Sequence, residues 1–189
     1  MMNVEYRPSR RDRIRLRARR ALLGRLRSLI EPNGTRLLDL GGGTGATTVA
    51  YGRGAQELVV LEPDPRKVSR GRAAGAPVTF VSGVAESLPY GEGRFDRVVS
   101  LMSFHHFSEA DGALREAARV LAPGGRLVVY DFDRSTLSGR WVAFFEGHLA
   151  RHSVRFVTAS DLERRVLAAG FHASRREAFG SGAFVVAER

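Results

Sequence analysis

Leu37-Leu38-Asp39-Leu40-Gly41-Gly42-Gly43-Thr44-Gly45 decides how this sequence is read. A short apolar run ends in glycines, and a helical pattern opens at Thr47. Glycines at such a junction let the main chain turn tightly and approach a ligand, while N–H groups at the helix end face it. Outward from this point, apolar runs recur at Arg36–Leu40, Glu57–Glu62, Val78–Val81, Phe95–Leu101 and Arg126–Phe132. Helical stretches separate them near Thr44–Gly52, Pro65–Ala74 and Glu109–Leu121. Strands apolar on both faces that alternate with helices predict a parallel sheet covered on both sides.

The tail departs from that rhythm. Asp161–Ala169 reads as a helix with Ser160 as N-cap and Gly170 as its stop. His172–Ala178 and Ala183–Glu188 then read as two strands joined by Gly180-Ser181-Gly182, a hairpin ending. At the other end, Ala18, Ala21, Leu22, Leu26, Leu29 and Ile30 recur with helical spacing and predict an amphipathic helix over Ala18–Ile30. Glu31-Pro32-Asn33-Gly34 stops it. The expected fold is α/β: a Rossmann-like, doubly wound seven-stranded sheet, mostly parallel, with a C-terminal antiparallel hairpin. A basic N-terminal helix (1–34) precedes a domain over 35–189, whose segment 135–157 is rich in aromatic residues.

The chain has 189 residues, 43% hydrophobic and 26% charged, which suits one globular domain. No run approaches the roughly 18 apolar residues of a membrane span, and the arginine-studded N-terminus lacks the apolar stretch of a secretory signal. With no cysteine, disulfides, thiolate metal sites and cysteine nucleophiles are excluded, and a cytoplasmic location is expected. The net charge of +10 is uneven: residues 1–30 hold ten arginines against Glu5 and Asp12, hence +8. Lys67 is the one lysine among 30 basic residues, a bias that genomic base composition would explain.

A glycine loop alone is weak evidence, because Gly41-x-Gly43-x-x-Ala46 also satisfies the dinucleotide fingerprint of nicotinamide and flavin enzymes. Three further features separate the readings. Asp39 stands two residues before Gly41, where dinucleotide sites usually carry an apolar residue. Glu62 ends the second strand, placed to accept ribose hydroxyls. Phe95-Asp96-Arg97-Val98-Val99-Ser100, His105-His106-Phe107 and Arg119-Val120-Leu121-Ala122-Pro123-Gly124-Gly125 follow in that order.

Together these motifs, from about Thr35 to Phe132, resemble the class I S-adenosylmethionine-dependent methyltransferases, in the small-molecule branch that includes quinone and phospholipid methyltransferases. The resemblance implies S-adenosylmethionine as cofactor and S-adenosylhomocysteine as product. It places Gly41, Gly42, Gly43 and Gly45 beneath the methionine part, Asp39 near the ammonium group, and Glu62 on the ribose with Pro63 or Asp64 beside the adenine. Ser100 and Leu101 would line the methyl-donor pocket. In Gly83-Val84-Ala85-Glu86 the family usually has an acid where Val84 stands; valine cannot accept that hydrogen bond, so Ala85 N–H or Glu86 would substitute.

His105 and His106 are the candidate catalytic bases for an oxygen or ring-carbon acceptor, with Tyr130 and Asp131 as further candidates; capping or packing is the more ordinary use of such histidines. His105, His106, His148 and His152 make no convincing ligand set, and no metal is expected. The lack of cysteine excludes the cytosine-5 adduct route and argues against arsenic methylation. No Asn-Pro-Pro-Tyr or Asp-Pro-Pro-Tyr run follows the fourth strand, so nucleic acid is not the expected substrate. The expected acceptor is a small or lipid-like molecule, a phospholipid amine or a quinone-type precursor, taken up by Ser135–Val157 with Trp141, Phe144, Phe145, His148 and Phe156. The arginine-rich helix would lid the cofactor or touch an anionic membrane peripherally. A cofactor-binding protein without turnover is the alternative from another class.

Overall fold

The computed structural model describes residues 6–136 and 156–189. Helices α1 (Arg10–Ala18) and α2 (Arg20–Ile30) precede β1 (Arg36–Leu40). Then follow α3 (Ala46–Gly52), β2 (Glu57–Leu61), α4 (Pro65–Ala73), β3 (Thr79–Val81), β4 (Phe95–Leu101), α5 (Ala110–Val120) and β5 (Leu121–Phe132). The chain ends with α6 (Ala159–Ala168), β6 (Ala173–Phe179) and β7 (Gly182–Glu188). The seven strands are ordered β3-β2-β1-β4-β5-β7-β6. Strands β1 to β5 pair in parallel and β7 is antiparallel to both β5 and β6. The expected fold class is what the structure has. The order reverses between β1 and β4, which opens a crevice at their C-terminal ends.

Side-chain alternation divides the core. On one face Leu38, Leu40, Val98, Leu127 and Val129 meet Leu114 and Ala117 of α5 and Leu162 and Val166 of α6. On the other, Leu37, Val99, Val128 and Phe184 meet Leu22, Leu26, Leu29 and Ile30 of α2 and Tyr51 of α3. A smaller cluster of Val60, Val68 and Phe80 seats α4. Helix α2 therefore fills one face of the sheet.

Three local expectations need correction. The N-terminal helix is two helices broken at Arg19 (φ −102°, ψ 12°), so the pattern expected from Ala18 starts at Arg20. The upstream helix escapes periodicity because it buries little: Ile14 is 59% exposed. Strand β5 starts at Leu121 rather than Arg126, because Gly124 N–H donates to the Arg189 carbonyl and Arg189 N–H to that of Gly125. The C-terminal residue thus holds the Pro123-Gly124-Gly125 segment in the strand. The cap of α6 is Thr158, whose hydroxyl accepts from Asp161 N–H, not Ser160.

Candidate cofactor site

The glycine loop leaves the C-terminal end of β1. Gly41, Gly43 and Gly45 have φ of +76°, +64° and +73°, a backbone that side chains strain. Gly42 is required for closeness instead, since a Cβ there would lie 2.6 Å from Asp39 Oδ2. Gly41 N–H donates to the Leu61 carbonyl at 2.8 Å, tying the loop to β2. A Cβ at Gly41 would lie 2.6 Å from that of Ser103. The Ser103 hydroxyl donates to the Leu40 carbonyl at 2.6 Å and sits 2.8 Å from the Ser100 hydroxyl.

Glu62, just past β2, is 2% exposed. Its Oε2 accepts from Gly43 N–H at 3.0 Å, and its Oε1 from Asp64 N–H and Lys67 Nζ, both at 3.1 Å. Loop and carboxylate are thereby fixed relative to each other at the mouth of a cavity of about 990 Å³. That volume is at the upper end of the range of small-molecule sites. Gly41, Glu62, Pro63, Val84, Ala85 and Glu86 all line it, as does His106.

Other expected site residues lie elsewhere. Asp39 is 1% exposed and sits beneath the loop, not on the cavity. Its Oδ2 accepts from the Thr48 hydroxyl at 2.5 Å, and the buried Tyr51 hydroxyl lies close enough to bear on its ionisation. Burial pushes the Asp39 carboxyl up to about 6 against the pull of the Thr48 bond, and raises the Tyr51 hydroxyl too. Asp39 reaches a ligand only through the loop that it supports. Ser100 and Leu101 are buried behind the wall, where Met102 and Ser103 line the cavity in their place. Met102 has φ of +54°, and such backbone in a non-glycine residue gathers at functional sites. Val84 is 49% exposed. Glu86 Oε1 accepts from Ser108 and Glu109 N–H at 2.7 and 3.1 Å, which ties this wall to the start of α5. Gly42, Gly43 and Gly45 shape the loop from outside the cavity lining.

The two histidines part company. Residues Phe104–His106 form a 3₁₀ turn after β4. His105 is 3% exposed, with Nδ1 at 2.7 and 2.9 Å from the Asp131 carboxylate oxygens, and its ring stacks on Phe156 at 4.5 Å. His105 N–H also donates to Asp131 at 2.9 Å. The His106 ring, 4.0 Å from that of His105, reaches the cavity beside Phe107. The Tyr130 hydroxyl donates to the Phe179 carbonyl at 3.0 Å and braces the hairpin. Trp141, Phe144, Phe145, His148 and His152, with most of the expected acceptor segment, lie outside the described residues.

Lys67, which lines the cavity beside Glu62, was missed by sequence reasoning, although it carried a signal as the single lysine of an arginine-rich chain.

A methyltransferase-domain family model matches residues 38–129. An uncharacterised methyltransferase of Synechocystis sp. is 30% identical over 165 residues, covering 85% of this chain and 78% of that protein. The chain belongs to the class I S-adenosylmethionine-dependent methyltransferases. It is also 33% identical over 113 residues to the ubiquinone/menaquinone biosynthesis C-methyltransferase UbiE of Pseudomonas putida, covering 55% of this chain. This methyltransferase spans only 44% of UbiE's length. The crystal structure of YcgJ from Bacillus subtilis matches with a TM-score of 0.75 at 27% identity, covering 84% of this chain and 71% of that one.

The residues fit the family's cofactor. At the cavity the loop presents Gly41, where a Cβ would run into Ser103, and the Glu62 carboxylate is held at the rim by two main-chain N–H groups. A carboxylate offers about four lone-pair sites, of which Glu62 commits three, so ribose hydroxyls would share its oxygens with Lys67.

Proposed function

We propose that this methyltransferase places the methyl group on a ring carbon of a quinol-type acceptor. The observation that carries this reading is that His106, Phe107 and Met102, which follow β4, line the same cavity as Glu62. The printed names of relatives such as UbiE and a demethylmenaquinone methyltransferase of Renibacterium salmoninarum support it. Glu62 and the glycine loop hold the cofactor's nucleoside and amino-acid parts. Bound S-adenosylmethionine supplies a methyl group on a cationic sulfur, which leaves with the bonding electron pair. Phe107 and Met102 offer an aromatic ring an apolar face and exclude water beside it. A ring carbon that gains a methyl group must lose its proton, and His106 is the base that lines the cavity. His105, held by Asp131, keeps the turn that carries His106 in place.

A quinone-type acceptor is lipid-soluble, and α1 suits a peripheral contact with anionic lipid: Arg10, Arg11 and Arg17 surround the exposed Ile14 on its outward face. Among the described residues no helix is long and apolar enough to cross a membrane.

Methyl-labelled S-adenosylmethionine and a short-chain demethylated menaquinol test the proposal. The expected result is label in the ring-methylated product, falling about 100-fold or more in His106→Ala with cofactor affinity unchanged. Label in a phospholipid amine fraction instead, or bound S-adenosylhomocysteine with no turnover on either acceptor, would overturn it.

A further inference from the structure

Helix α1 carries five arginines and one acid, and the acid, Asp12, is turned inward. Its Oδ1 lies 3.4 Å from the hydroxyl of Thr44, in the glycine loop. Helix α4 reaches the same stretch of loop. A Cβ at Gly71 would lie 2.6 Å from the Thr44 carbonyl oxygen, and one at Gly43 would lie 4.0 Å from Lys67 Cδ. Arg7 N–H donates to the Ala74 carbonyl at 2.8 Å, so the chain entering α1 is tied to the residue that caps the end of α4. The two helices therefore meet at the loop whose Gly41 lines the cavity, and Lys67 of α4 lines it directly.

Their outward faces are alike. The five arginines of α1 are exposed, as are Arg66 and Arg70, one turn apart on α4. None of these seven forms an ion pair or a side-chain hydrogen bond among the described residues. Elsewhere arginines meet carboxylates, as Arg25 does Glu177, Arg36 Asp96 and Arg94 Glu57. Like charges gathered without counter-charge repel one another, and a polyanion relieves them. Ile14, 59% exposed among the arginines of α1, selects the class of polyanion. An apolar side chain gains nothing from the phosphates along a nucleic acid, but it enters the boundary between lipid headgroups and acyl chains. We propose that α1 and α4 form one basic face that docks on an anionic lipid surface, with the cavity at its edge. A lipid-soluble acceptor then reaches the cavity from the interface without crossing bulk water. That delivery rests on the quinol-type acceptor proposed above, whereas the docking itself does not.

Co-sedimentation of the full chain with vesicles of phosphatidylcholine, alone or mixed with phosphatidylglycerol, tests the face. The expected result is binding to the mixed vesicles only, weakening as salt is raised. Arg66→Gln combined with Arg70→Gln should weaken it about tenfold or more, and Ile14→Gln about fivefold. Both variants should methylate a dissolved short-chain demethylated menaquinol at the wild-type rate. A long-chain form held in mixed vesicles should be methylated more slowly, in step with the lost binding. Equal binding to both kinds of vesicle, or binding indifferent to the α4 variant, would overturn the proposal. So would binding to an RNA homopolymer but not to mixed vesicles. Variant-sensitive vesicle binding without methylation of the short-chain form would uphold the docking face and sink the acceptor reading instead.

Discussion

Asp39→Asn should remove a pH dependence of stability that wild type carries between about pH 4 and 6. The Asp39 carboxyl is fully enclosed, and burial moves it from an ordinary 3.8 to about 6. In the unfolded chain it titrates near its usual value. Between the two values the folded protein holds a proton that the unfolded chain has released, so this group favours folding more as pH falls through the window. As pH rises through 6 that benefit is lost. Above it the carboxyl is ionised in both states, and the native state bears the whole cost of the buried charge. A shift of about two units corresponds to ~3 kcal/mol. Asparagine keeps an acceptor for the Thr48 hydroxyl and never ionises. Urea unfolding of both proteins at pH 4, 5, 6 and 7.5 measures the difference. Carboxylates held low by arginines (Asp96 by Arg36, Glu116 by Arg119, Glu177 by Arg25) push stability the opposite way, but they are common to both proteins and cancel. The variant should gain on wild type by ~3 kcal/mol between pH 4 and 7.5. A difference that stays flat over this range, or moves in favour of wild type as pH rises, would refute the claim that Asp39 is a charge enclosed beneath the loop.

Two further outcomes follow from the packing and the site. Glu62→Gln loses the charge that meets Lys67 and, on the proposed site, would meet the ribose; it should weaken S-adenosylhomocysteine binding about tenfold in a calorimetric titration, and an unchanged affinity would remove Glu62 from the site. Leu26→Ala, at a position with no exposure, should cost about 2–5 kcal/mol in urea unfolding, whereas Ile14→Ala on exposed α1 should stay within about 0.5 kcal/mol; equal effects would mean that α2 is not the helix that fills the sheet face.

The sheet was legible because its signal is redundant. Strand β1 is bounded in sequence by charged Arg36 and the glycines, and its residues Leu37 and Leu38 must be apolar for opposite reasons, each facing a different helical layer. Glu62 was legible because a lone acid at the end of an apolar strand has few structural uses. The role of Asp39 was harder to read: its type and spacing announce a functional position, but only coordinates show that the carboxylate points down to Thr48 rather than up to a ligand. Ser100 and Leu101 lie behind the cavity lining for a related reason. Strand β4 ends where expected, yet the chain turns at the left-handed backbone of Met102, and Met102 and Ser103 line the cavity. Helix α1 escaped periodicity analysis because its inward row is short and centred on a charged residue.

The arginine bias also reads differently once the carbonyls are traced. Arg97 Nε donates to the Ile30 carbonyl at 2.5 Å and Arg126 Nη1 to that of Leu29 at 2.7 Å, so two side chains from the sheet close the C-terminal end of α2. Arg27 donates to the Tyr51 carbonyl at 3.0 Å and also to that of Arg53, just past α3. Arg119 reaches the carbonyls of Tyr90 and Leu88 while its other edge pairs with Glu116. Each arrangement uses several donors of one planar group, or a donor set back from the tip of the side chain. An ammonium on a flexible stem reproduces neither. Base composition can supply arginine in place of lysine, but it does not aim guanidinium groups at the open ends of helices. These arginines are therefore part of how the sheet and its helices are fastened. The exposed positive charge is concentrated on α1, where the arginines surround Ile14 and the one acid is turned inward to the glycine loop.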